Sequence, residues 1–320
     1  MKVAIWGGPA RSHIIDGFKG LHEFELVPCA TRDELLTQIP HANALILTDG
    51  QFDPEVAQAV THGAPALRFI QAVTAGYEGL QTHGVRSGIV VANAGDSWSP
   101  AVAEHAIALL LALCKQLPAV NANQRAKGWD RSFASNMIGL GGKTVAIIGY
   151  GSIAREIATR LKPFGTTIIG VSRSAKPEAT ADRIVPIAAI NDAIAQADVV
   201  ILTVPYSKAS HHLFGPAQFA ACKPSAILIN TARGGVLDTD ALIDALNGGS
   251  IAGAGLDVTD PEPLPADHPL WLCPNLIISP HVSGSVGEDG WRRLAATVLD
   301  NFKRFAAGEP LRHLVDVPQH

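Results

Sequence analysis

The stretch TVAIIGYGSIAREIATRLKPFG, residues 144–165, decides the fold. Four of its first five residues, TVAII, are apolar, as in a buried strand, and the residues after GYGSIA have the pattern of a helix. Strand, glycine loop and helix in this order predict a unit that binds a dinucleotide. In such a unit Gly149 permits the tight turn, and Gly151 lets backbone N–H groups approach a pyrophosphate at the helix N-terminus. Ala154 takes the third small position, where helix and strand pack closely.

The composition excludes several function classes. The 320 residues are 47% hydrophobic and 17% charged, with a net charge of −4 and no basic tract, which argues against nucleic-acid binding. The four cysteines are widely spaced, which favours reduced thiols in the cytoplasm and argues against a metal site. The N-terminus lacks a signal-peptide core, and the longest apolar run, 106–114, is too short to cross a bilayer. We therefore expect a cytoplasmic protein with no membrane partner.

Short apolar runs recur along the chain with helical segments between them. They form two sets: 3–6, 44–48, 68–73 and 89–92, then 144–148, 167–171, 199–204, 226–230, 252–257 and 276–279. Continuous apolar strands separated by helices imply parallel sheets covered on both faces. The sequence therefore predicts an α/β protein with two parallel sheets, and its length suits two domains.

A helix predicted over 99–117 lies between the two sets of strands. Ser99 is a plausible N-cap, and Pro100 suits the first helical position. No face of this helix is polar over 106–114, so we expect it to be buried on every side. At a domain junction such burial suggests a subunit interface, although an interdomain core helix would give the same pattern.

The last predicted helix, 288–308, carries an apolar stripe of Trp291, Leu294, Val298 and Phe302. A closing helix of this kind can return the chain to the first domain. The expected division is therefore 1–98 plus 288–320 against 99–287.

The segment GVSRS, 170–174, bears on the choice of cofactor. Ser172 stands where a dinucleotide-binding unit usually has an acidic residue for the adenosine ribose, and Arg173 follows it. A carboxylate about 4 Å from the 2′-phosphate of NADP would cost about 4 kcal/mol per charge pair near a protein surface. A hydroxyl and a guanidinium remove that penalty and add charge-assisted hydrogen bonds. NADP(H) is therefore the preferred prediction; NAD(H) stays possible, because Arg173 could be a solvated surface residue.

Three polar segments follow predicted strands downstream: NTARGGVLD (230–238), LDVTDPEPLP (256–265) and SPHVSG (279–284). Because ligands of open α/β sheets bind outside the carboxyl ends of strands, we expect these segments to converge beside the cofactor. Arg, Glu and His arriving in that order make a workable reductase site. Taken singly, each has a structural explanation, such as a surface ion pair or a hydrogen-bonded histidine.

With VTAGYEGL (73–80), AVAEHAIALLLAL (101–113) and VPYSKASHHL (204–213), these motifs resemble the D-isomer-specific 2-hydroxyacid dehydrogenases over nearly the whole chain. The resemblance implies two Rossmann-like domains with the active site in the cleft between them. It assigns 1–98 plus 288–320 to a flavodoxin-like substrate domain and 99–287 to a dinucleotide-binding domain. It also implies a homodimer built on the helix near 100–117.

The resemblance carries catalytic roles onto three residues. Arg233 would pair with the substrate carboxylate and polarise the C2 carbonyl. His281 would donate a proton to the carbonyl oxygen, and Glu262 would bond the other imidazole nitrogen. The backbone N–H groups of Ala75 and Gly76 would hold the carboxylate from the other domain. The implied cofactor contacts are Gly149, Tyr150, Gly151, Ser152, Ile153, Ser172, Arg173, Ser174, Val204, Pro205, Ser210, Thr231, Ala232 and Asp257.

The implied reaction is NADPH-dependent reduction of a small 2-oxo acid, of the glyoxylate or hydroxypyruvate kind, to the D-2-hydroxy acid. Bulkier 2-oxo acids remain an alternative, because pocket size depends on residues near 73–77 and on Trp291. Glu262 argues against the formate dehydrogenases, which resemble this family but have Gln there. A cofactor-sensing binding protein of the same superfamily is the alternative from another class.

Overall fold

The structure is a computed structural model that describes residues 1–6, 8, 10–285 and 287–320. The chain divides into two compact units. Unit 1 comprises Met1–Trp98 and Val286–His320, and unit 2 comprises Ser99–Ser285. Each unit contains one parallel β-sheet with helices, so the α/β fold with two parallel sheets is confirmed.

Twelve strands are described. Those of unit 1 are β1 (Lys2–Trp6), β2 (Glu25–Cys29), β3 (Ala44–Leu47), β4 (Phe69–Ala72) and β5 (Val90–Ala92). Those of unit 2 are β6 (Thr144–Ile148), β7 (Thr167–Ser172), β8 (Arg183–Pro186), β9 (Val199–Leu202), β10 (Ile227–Asn230), β11 (Gly253–Leu256) and β12 (Leu276–Ile278).

Eleven α-helices connect or cover these strands in the described part of the chain. In chain order they are α1 (Arg11–Gly17), α2 (Arg32–Gln38), α3 (Pro54–Gly63), α4 (Glu78–His83), α5 (Ser99–Cys114), α6 (Leu117–Ala126), α7 (Ser152–Leu161), α8 (Ile190–Gln196), α9 (Pro216–Ala221), α10 (Thr239–Asn247) and α11 (Glu288–Ala307). Unit 1 holds α1–α4 and α11, and unit 2 holds α5–α10.

Unit 1 is built on a five-stranded sheet in the order β2-β1-β3-β4-β5. Successive residues of its inner strands face opposite sides, so that Ala4 and Leu45 join one buried cluster while Val3 and Phe69 join another. The predicted stripe of α11 packs on the second cluster, where the Phe302 ring lies 5.0 Å from that of Phe69. The closing helix is therefore part of the core of unit 1.

Unit 2 is built on a seven-stranded sheet in the order β12-β11-β10-β9-β6-β7-β8. The chain begins in the middle at β6, proceeds to one edge through β8, and then fills the other side from β9 to β12. Neighbours β6 and β9 therefore leave the sheet in opposite directions, which is the switch point where ligands of doubly wound sheets bind. Buried residues such as Ala146 and Ile147 supply a core on each face.

Two strands were not expected from the sequence, β2 and β8, and both lie at an edge of a sheet. Their residues are largely half-exposed or exposed, so neither produces the continuous apolar run that marks an inner strand. The expectation for α5 was also wrong in one respect. Ala108 is exposed, and Leu111 and Ala112 are half-exposed, so this helix is not buried on every side within one chain.

No single helix among the described residues is long and apolar enough to span a membrane. The pair α5 and α6 reaches that length and apolarity only when both helices are counted together across a bend of 65°.

The turn after β10 lies against the segment after β11. Gly234 makes this approach possible, because a Cβ atom at that position would overlap the carbonyl oxygen of Thr259. The approach brings the backbone beside Arg233 close to the segment that carries Glu262. The lack of a side chain at Gly234 is therefore needed for the close approach of the segments that carry Arg233 and Glu262.

Substituting Gly234→Ala should destabilise unit 2, because backbone atoms rather than a flexible side chain would have to move. We expect a cost of ~1–3 kcal/mol and a fall in the melting temperature of about 3–10 °C by differential scanning calorimetry. Gly139→Ala is the matched control, since a Cβ there meets nothing within 4 Å. Equal melting temperatures for the two variants would contradict the close approach.

Candidate active site

The glycine loop sits at the switch point of the unit 2 sheet. Gly149 follows β6 with φ +93°, a conformation that glycine adopts without strain. A Cβ on Gly149 would lie 2.8 Å from the backbone nitrogen of Val204, which follows β9. The predicted cofactor residues Gly149 and Val204 are therefore in direct contact, and the first position of the loop accepts no side chain.

The N-terminus of α7 presents backbone amides without partners. No acceptor among the described residues bonds the N–H groups of Gly151, Ser152 or Ile153. A Cβ on Gly151 would meet no atom within 4 Å, so the space beside it is open. Free amides at the positive end of a ten-residue helix are suited to a pyrophosphate. The Ser152 hydroxyl instead accepts a hydrogen bond from Ser99, at 2.9 Å.

Tyr150 fastens the loop to the neighbouring strand. Its ring covers Gly170 on β7 so closely that any side chain at Gly170 would overlap it. Its hydroxyl lies 3.0 Å from the Thr180 hydroxyl, and burial raises the pKa of the Tyr150 phenol. The group therefore stays protonated and keeps this hydrogen bond at neutral pH.

The end of β7 forms a tight turn that exposes the predicted NADP-selective residues. The Ser172 hydroxyl accepts a hydrogen bond from the backbone N–H of Ala175, at 3.1 Å. Arg173 and Ser174 are exposed, and the Arg173 guanidinium has no partner among the described residues. The nearby carboxylate of Glu178 is 3.7 Å from Arg155, so its charge is partly compensated. The turn therefore presents an unpaired cation at the edge of the cofactor site.

Residues 203–210 form the opposite wall of the glycine loop. The Thr203 hydroxyl donates to the Gly149 carbonyl at 2.5 Å, which fixes the segment that leads to Val204 and Pro205. Ser210 is buried, and its hydroxyl donates to Pro205 while accepting from the N–H of Ser207. The Ser210 hydroxyl is thus occupied within its own turn.

A buried hydroxyl without a partner marks the end of β10. Thr231 is 5% exposed, and its Oγ1 makes no hydrogen bond to a described residue. The Asn230 side chain accepts from the N–H of Ala232 and donates to the carbonyl of Arg233, so the turn around Thr231 is rigid. Since buried polar groups are normally satisfied, the orphaned hydroxyl is consistent with a ligand at this turn. The glycine loop, the free amides of α7 and this hydroxyl together fit a dinucleotide.

Arg233 follows the same turn and is half-buried. Its Nη1 donates to the carbonyl of Ala232 at 2.7 Å, which holds one end of the guanidinium against its own backbone. The guanidinium is planar and carries five N–H donors, a geometry suited to a carboxylate.

The side chains of His281 and Glu262 are joined by a hydrogen bond. The Nδ1 atom of His281 lies 2.6 Å from Oε1 of Glu262, and the two side chains are 43% and 40% exposed. A carboxylate accepts hydrogen bonds, so Nδ1 carries the proton in this pair. The Nε2 atom has no partner in the described part of the chain. The ring therefore has a fixed orientation and one nitrogen available for proton exchange.

The backbone of His281 is held in the left-handed region, with φ +53°. Asp257, which is fully buried, stabilises this conformation: its carboxylate accepts from the N–H groups of Val282 and Ser283, both at 2.9 Å. Its Oδ1 also accepts from the Ser279 hydroxyl at 2.6 Å. Asp257, predicted as a nicotinamide contact, is thus the anchor of the loop that carries His281.

Sequence reasoning missed the residue that supports this anchor. The Nε2 atom of His105, on α5, lies 2.8 Å from the Ser279 hydroxyl and 3.4 Å from Oδ1 of Asp257. The available signal was weak, because His105 is one polar residue in an apolar helix and Ser279 stands 174 positions away.

In unit 1 the predicted carboxylate-binding segment follows β4. The backbone N–H groups of Ala75 and Gly76 have no acceptor among the described residues, and Ala75 is exposed. The hydroxyl of the preceding Thr74 donates to the Gly76 carbonyl and accepts from the N–H of Asp49, and these two bonds fix the position of Thr74. Both expected amides are therefore available to an anion.

Neither a metal centre nor a reactive thiol is found in the described residues. No group of three or more His, Cys, Asp or Glu side chains is placed to hold a metal ion. Burial raises the pKa of every cysteine thiol, that of Cys222 to about 11, so the thiolate form is scarce at neutral pH.

Comparisons with known proteins agree with this site. Residues 107–283 match the family described as D-isomer specific 2-hydroxyacid dehydrogenase, NAD binding domain. The chain is 35% identical over 293 residues to the glyoxylate reductase of Thermococcus litoralis, and the match covers 89% of this chain and 87% of that protein.

Solved structures give the same result over the whole chain. A D-isomer specific 2-hydroxyacid dehydrogenase family protein from Aeromonas salmonicida is 32% identical, with a TM-score of 0.87 and coverage of 98% of this chain and 99% of that one. The D-mandelate dehydrogenase of Rhodotorula graminis is 25% identical, with a TM-score of 0.83 and coverage of 99% and 98%. The chain therefore belongs to the D-isomer-specific 2-hydroxyacid dehydrogenase family and is an NAD(P)-dependent 2-hydroxyacid dehydrogenase.

Proposed function

We propose that this protein reduces a small 2-oxo acid to the D-2-hydroxy acid with NADPH. The observation that carries the proposal is the His281–Glu262 pair, in which one ring nitrogen is held at 2.6 Å and the other has no partner among the described residues. A fixed imidazole with an available nitrogen can donate a proton to a carbonyl oxygen and recover it in the reverse reaction. The family establishes the class of reaction that such a proton transfer would serve.

The residues divide the chemistry between binding and proton transfer. Arg233 binds the substrate carboxylate and polarises the C2 carbonyl, and the amides of Ala75 and Gly76 bind the same carboxylate. Glu262 keeps Nδ1 of His281 protonated, so that Nε2 is the atom that exchanges a proton with the substrate oxygen. When bound, the nicotinamide supplies the hydride to C2. These residues are already held in place, so they need not reorient, as water molecules would, when charge develops on the carbonyl oxygen of the substrate.

The cofactor preference rests on the turn at the end of β7. The Ser172 hydroxyl closes the turn by accepting from Ala175, and the exposed Arg173 forms no ion pair with a described carboxylate. A 2′-phosphate placed there would meet a hydroxyl, a guanidinium and the Ser174 hydroxyl. NADPH is therefore the proposed electron donor, and NADH can still bind through the free amides of α7.

The proposed substrate class is the small 2-oxo acids, with glyoxylate and hydroxypyruvate first. The 35% identity to a glyoxylate reductase over most of the chain supports this choice. Bulkier 2-oxo acids stay in the proposal as the second class, since the structurally similar D-mandelate dehydrogenase is named for an aromatic hydroxy acid.

We further propose that unit 1 is the substrate domain and that unit 2 is the dinucleotide-binding domain. We also propose that two chains form a dimer through α5 and α6, for the following reason. Ala108 and the half-exposed Leu111 lie one turn apart on α5, and Leu117 and Val120 are exposed on α6. Trp129, which follows α6, is 94% exposed. A concentration of apolar side chains on one surface marks a protein interface.

Replacing His281 by Asn should abolish most of the turnover. Asn tolerates the left-handed backbone and can still donate to Glu262, but it cannot deliver a proton from the Nε2 position. We expect kcat for glyoxylate or hydroxypyruvate to fall by about 10²–10⁴-fold, with NADPH binding unchanged. His22→Ala, on an exposed histidine of unit 1, is the control.

The same assay tests the proposed function itself. The wild-type chain is assayed with NADPH against glyoxylate, hydroxypyruvate, pyruvate and phenylpyruvate. Tight NADPH binding without turnover of any of these acids would mean a cofactor-sensing binding protein instead of an enzyme.

Removing the guanidinium with Arg173→Ala should raise the Michaelis constant for NADPH by about 10-fold or more and leave that for NADH nearly unchanged. The expectation follows from the loss of a charge-assisted bond that only the 2′-phosphate can make. Lys176→Ala removes a nearby cation of the same loop and serves as the comparison. Equal changes for both cofactors would rule out 2′-phosphate recognition by Arg173.

Introducing a charge with Ala108→Arg should convert the dimer to a monomer, because an unpaired guanidinium would be buried at the interface. Size-exclusion chromatography with light scattering measures the mass. Ala306→Arg, at an exposed position of α11, is the matched control. A wild-type mass of one chain at micromolar concentration would refute the proposed dimer.

A further inference from the structure

The segment after β4 has an unusual distribution of hydrogen bonds. Three consecutive carbonyl groups are each bonded within unit 1. The Thr74 carbonyl accepts from the N–H of Ala94 at 3.0 Å, and the Gly76 carbonyl accepts from the Thr74 hydroxyl at 2.9 Å. The carbonyl between them, that of Ala75, accepts from Nδ2 of Asn93 at 2.7 Å.

This distribution determines where the amides point. In a trans peptide the carbonyl and the following N–H point in opposite directions. Three carbonyls bonded to the protein therefore turn the N–H groups of Ala75, Gly76 and Tyr77 away from those partners. None of the three amides has an acceptor in the described residues, so they form a row of donors suited to an anion.

Asn93 holds one of these peptides from a different segment of the chain, the one that follows β5. Its own position is fixed by several bonds: its N–H donates to the carbonyl of His313, and its Oδ1 accepts from the N–H of Gly95. Its carbonyl accepts from Nε2 of Gln71 at 2.9 Å. A side chain with these bonds cannot follow the Ala75 peptide if that peptide rotates.

The support for Asn93 extends to the C-terminal helix. Gln71 is fully buried, and its Oε1 accepts from Nδ2 of Asn301 on α11, which is fully buried too. Asn301 is in turn bonded to the backbone of Arg312 through both its side-chain atoms. Because the side-chain amides of Asn93, Gln71 and Asn301 are each bonded through both oxygen and nitrogen, this network holds the segment after β4 in place.

We propose that Asn93 is a positioning residue for the substrate carboxylate. It holds the Ala75–Gly76 peptide in the orientation that directs the Gly76 N–H toward the carboxylate. The proposal rests on the function proposed above, in which these amides bind a 2-oxo acid. Without Nδ2, the Ala75 carbonyl loses its donor, and the peptide can rotate and take the Gly76 N–H with it.

The test variant is Asn93→Leu, which keeps the approximate volume, removes the donor and adds no charge. Asn43→Leu is the matched control. The side chain of Asn43 also bonds backbone in unit 1, through Oδ1 to the N–H of Lys2, but it precedes β3 at the opposite end of the sheet. A general loss of stability would therefore appear in both variants, whereas weaker binding of the substrate carboxylate would appear only in Asn93→Leu.

We expect Asn93→Leu to raise KM for glyoxylate by about tenfold, the scale of one charge-assisted hydrogen bond, with kcat changed much less. The affinity of oxamate, an unreactive 2-oxo acid analogue, for the enzyme–NADPH complex should fall by the same factor. The dissociation constant of NADPH alone should not change, since the free amides of α7 are intact. Asn43→Leu should leave all three quantities at the wild-type values.

Asn93→Asp is the second variant and keeps the wild-type size. It should raise KM for glyoxylate, and the increase should persist at high salt, where simple repulsion between the introduced carboxylate and the substrate is screened. Unchanged KM and oxamate affinity in Asn93→Leu, or an increase in Asn93→Asp that salt abolishes, overturns the positioning role. A wild-type chain that neither turns over any 2-oxo acid nor binds oxamate overturns the proposed function instead.

Discussion

A buried carboxylate, that of Asp257, fixes the backbone from which the His281 ring projects. Two backbone N–H groups, the Ser279 hydroxyl and His105 surround its oxygen atoms, and the carboxylate itself has no exposure to solvent. A buried carboxylate is stable only when all of its hydrogen-bond donors are present, because losing one donor leaves an oxygen atom unsatisfied. The left-handed conformation of His281 therefore persists as part of this set.

The parallel sheet of unit 2 explains why so few elements are needed to build the site. Each of the residues proposed for it follows the carboxyl end of a strand: Gly149 after β6, Val204 after β9, Arg233 after β10 and Asp257 after β11. The inner strands are apolar and buried, so they contribute no chemistry of their own. The polar residues lie where the backbone leaves the sheet, and close approaches at Gly149 and Gly234 set the distances between neighbouring turns.

Local periodicity predicted the strand–loop–helix unit at Gly149, whereas the hydrogen bond between Glu262 and His281 was implied by the resemblance to a known family. The edge strands β2 and β8 were not predicted from the sequence, since an edge strand such as Arg183–Pro186 faces solvent and lacks a continuous apolar run. The roles of Asn93 and His105 escaped for a different reason. Their partners are backbone carbonyls or hydroxyls in distant segments, and a single sequence does not record a hydrogen bond between side chain and backbone.

The contact between Tyr150 and Gly170 has a consequence for how such proteins diverge. The aromatic ring of Tyr150 and the Cδ1 atom of Ile184, on β8, together occupy the space that a side chain at Gly170 would need. A mutation that enlarges Gly170 is blocked while either side chain is present, and one that shrinks Tyr150 leaves a void above β7. Positions 150, 170 and 184 are therefore expected to covary among homologues, and exchanging one glycine loop for another by recombination would succeed only when the facing strands β7 and β8 are transferred with it.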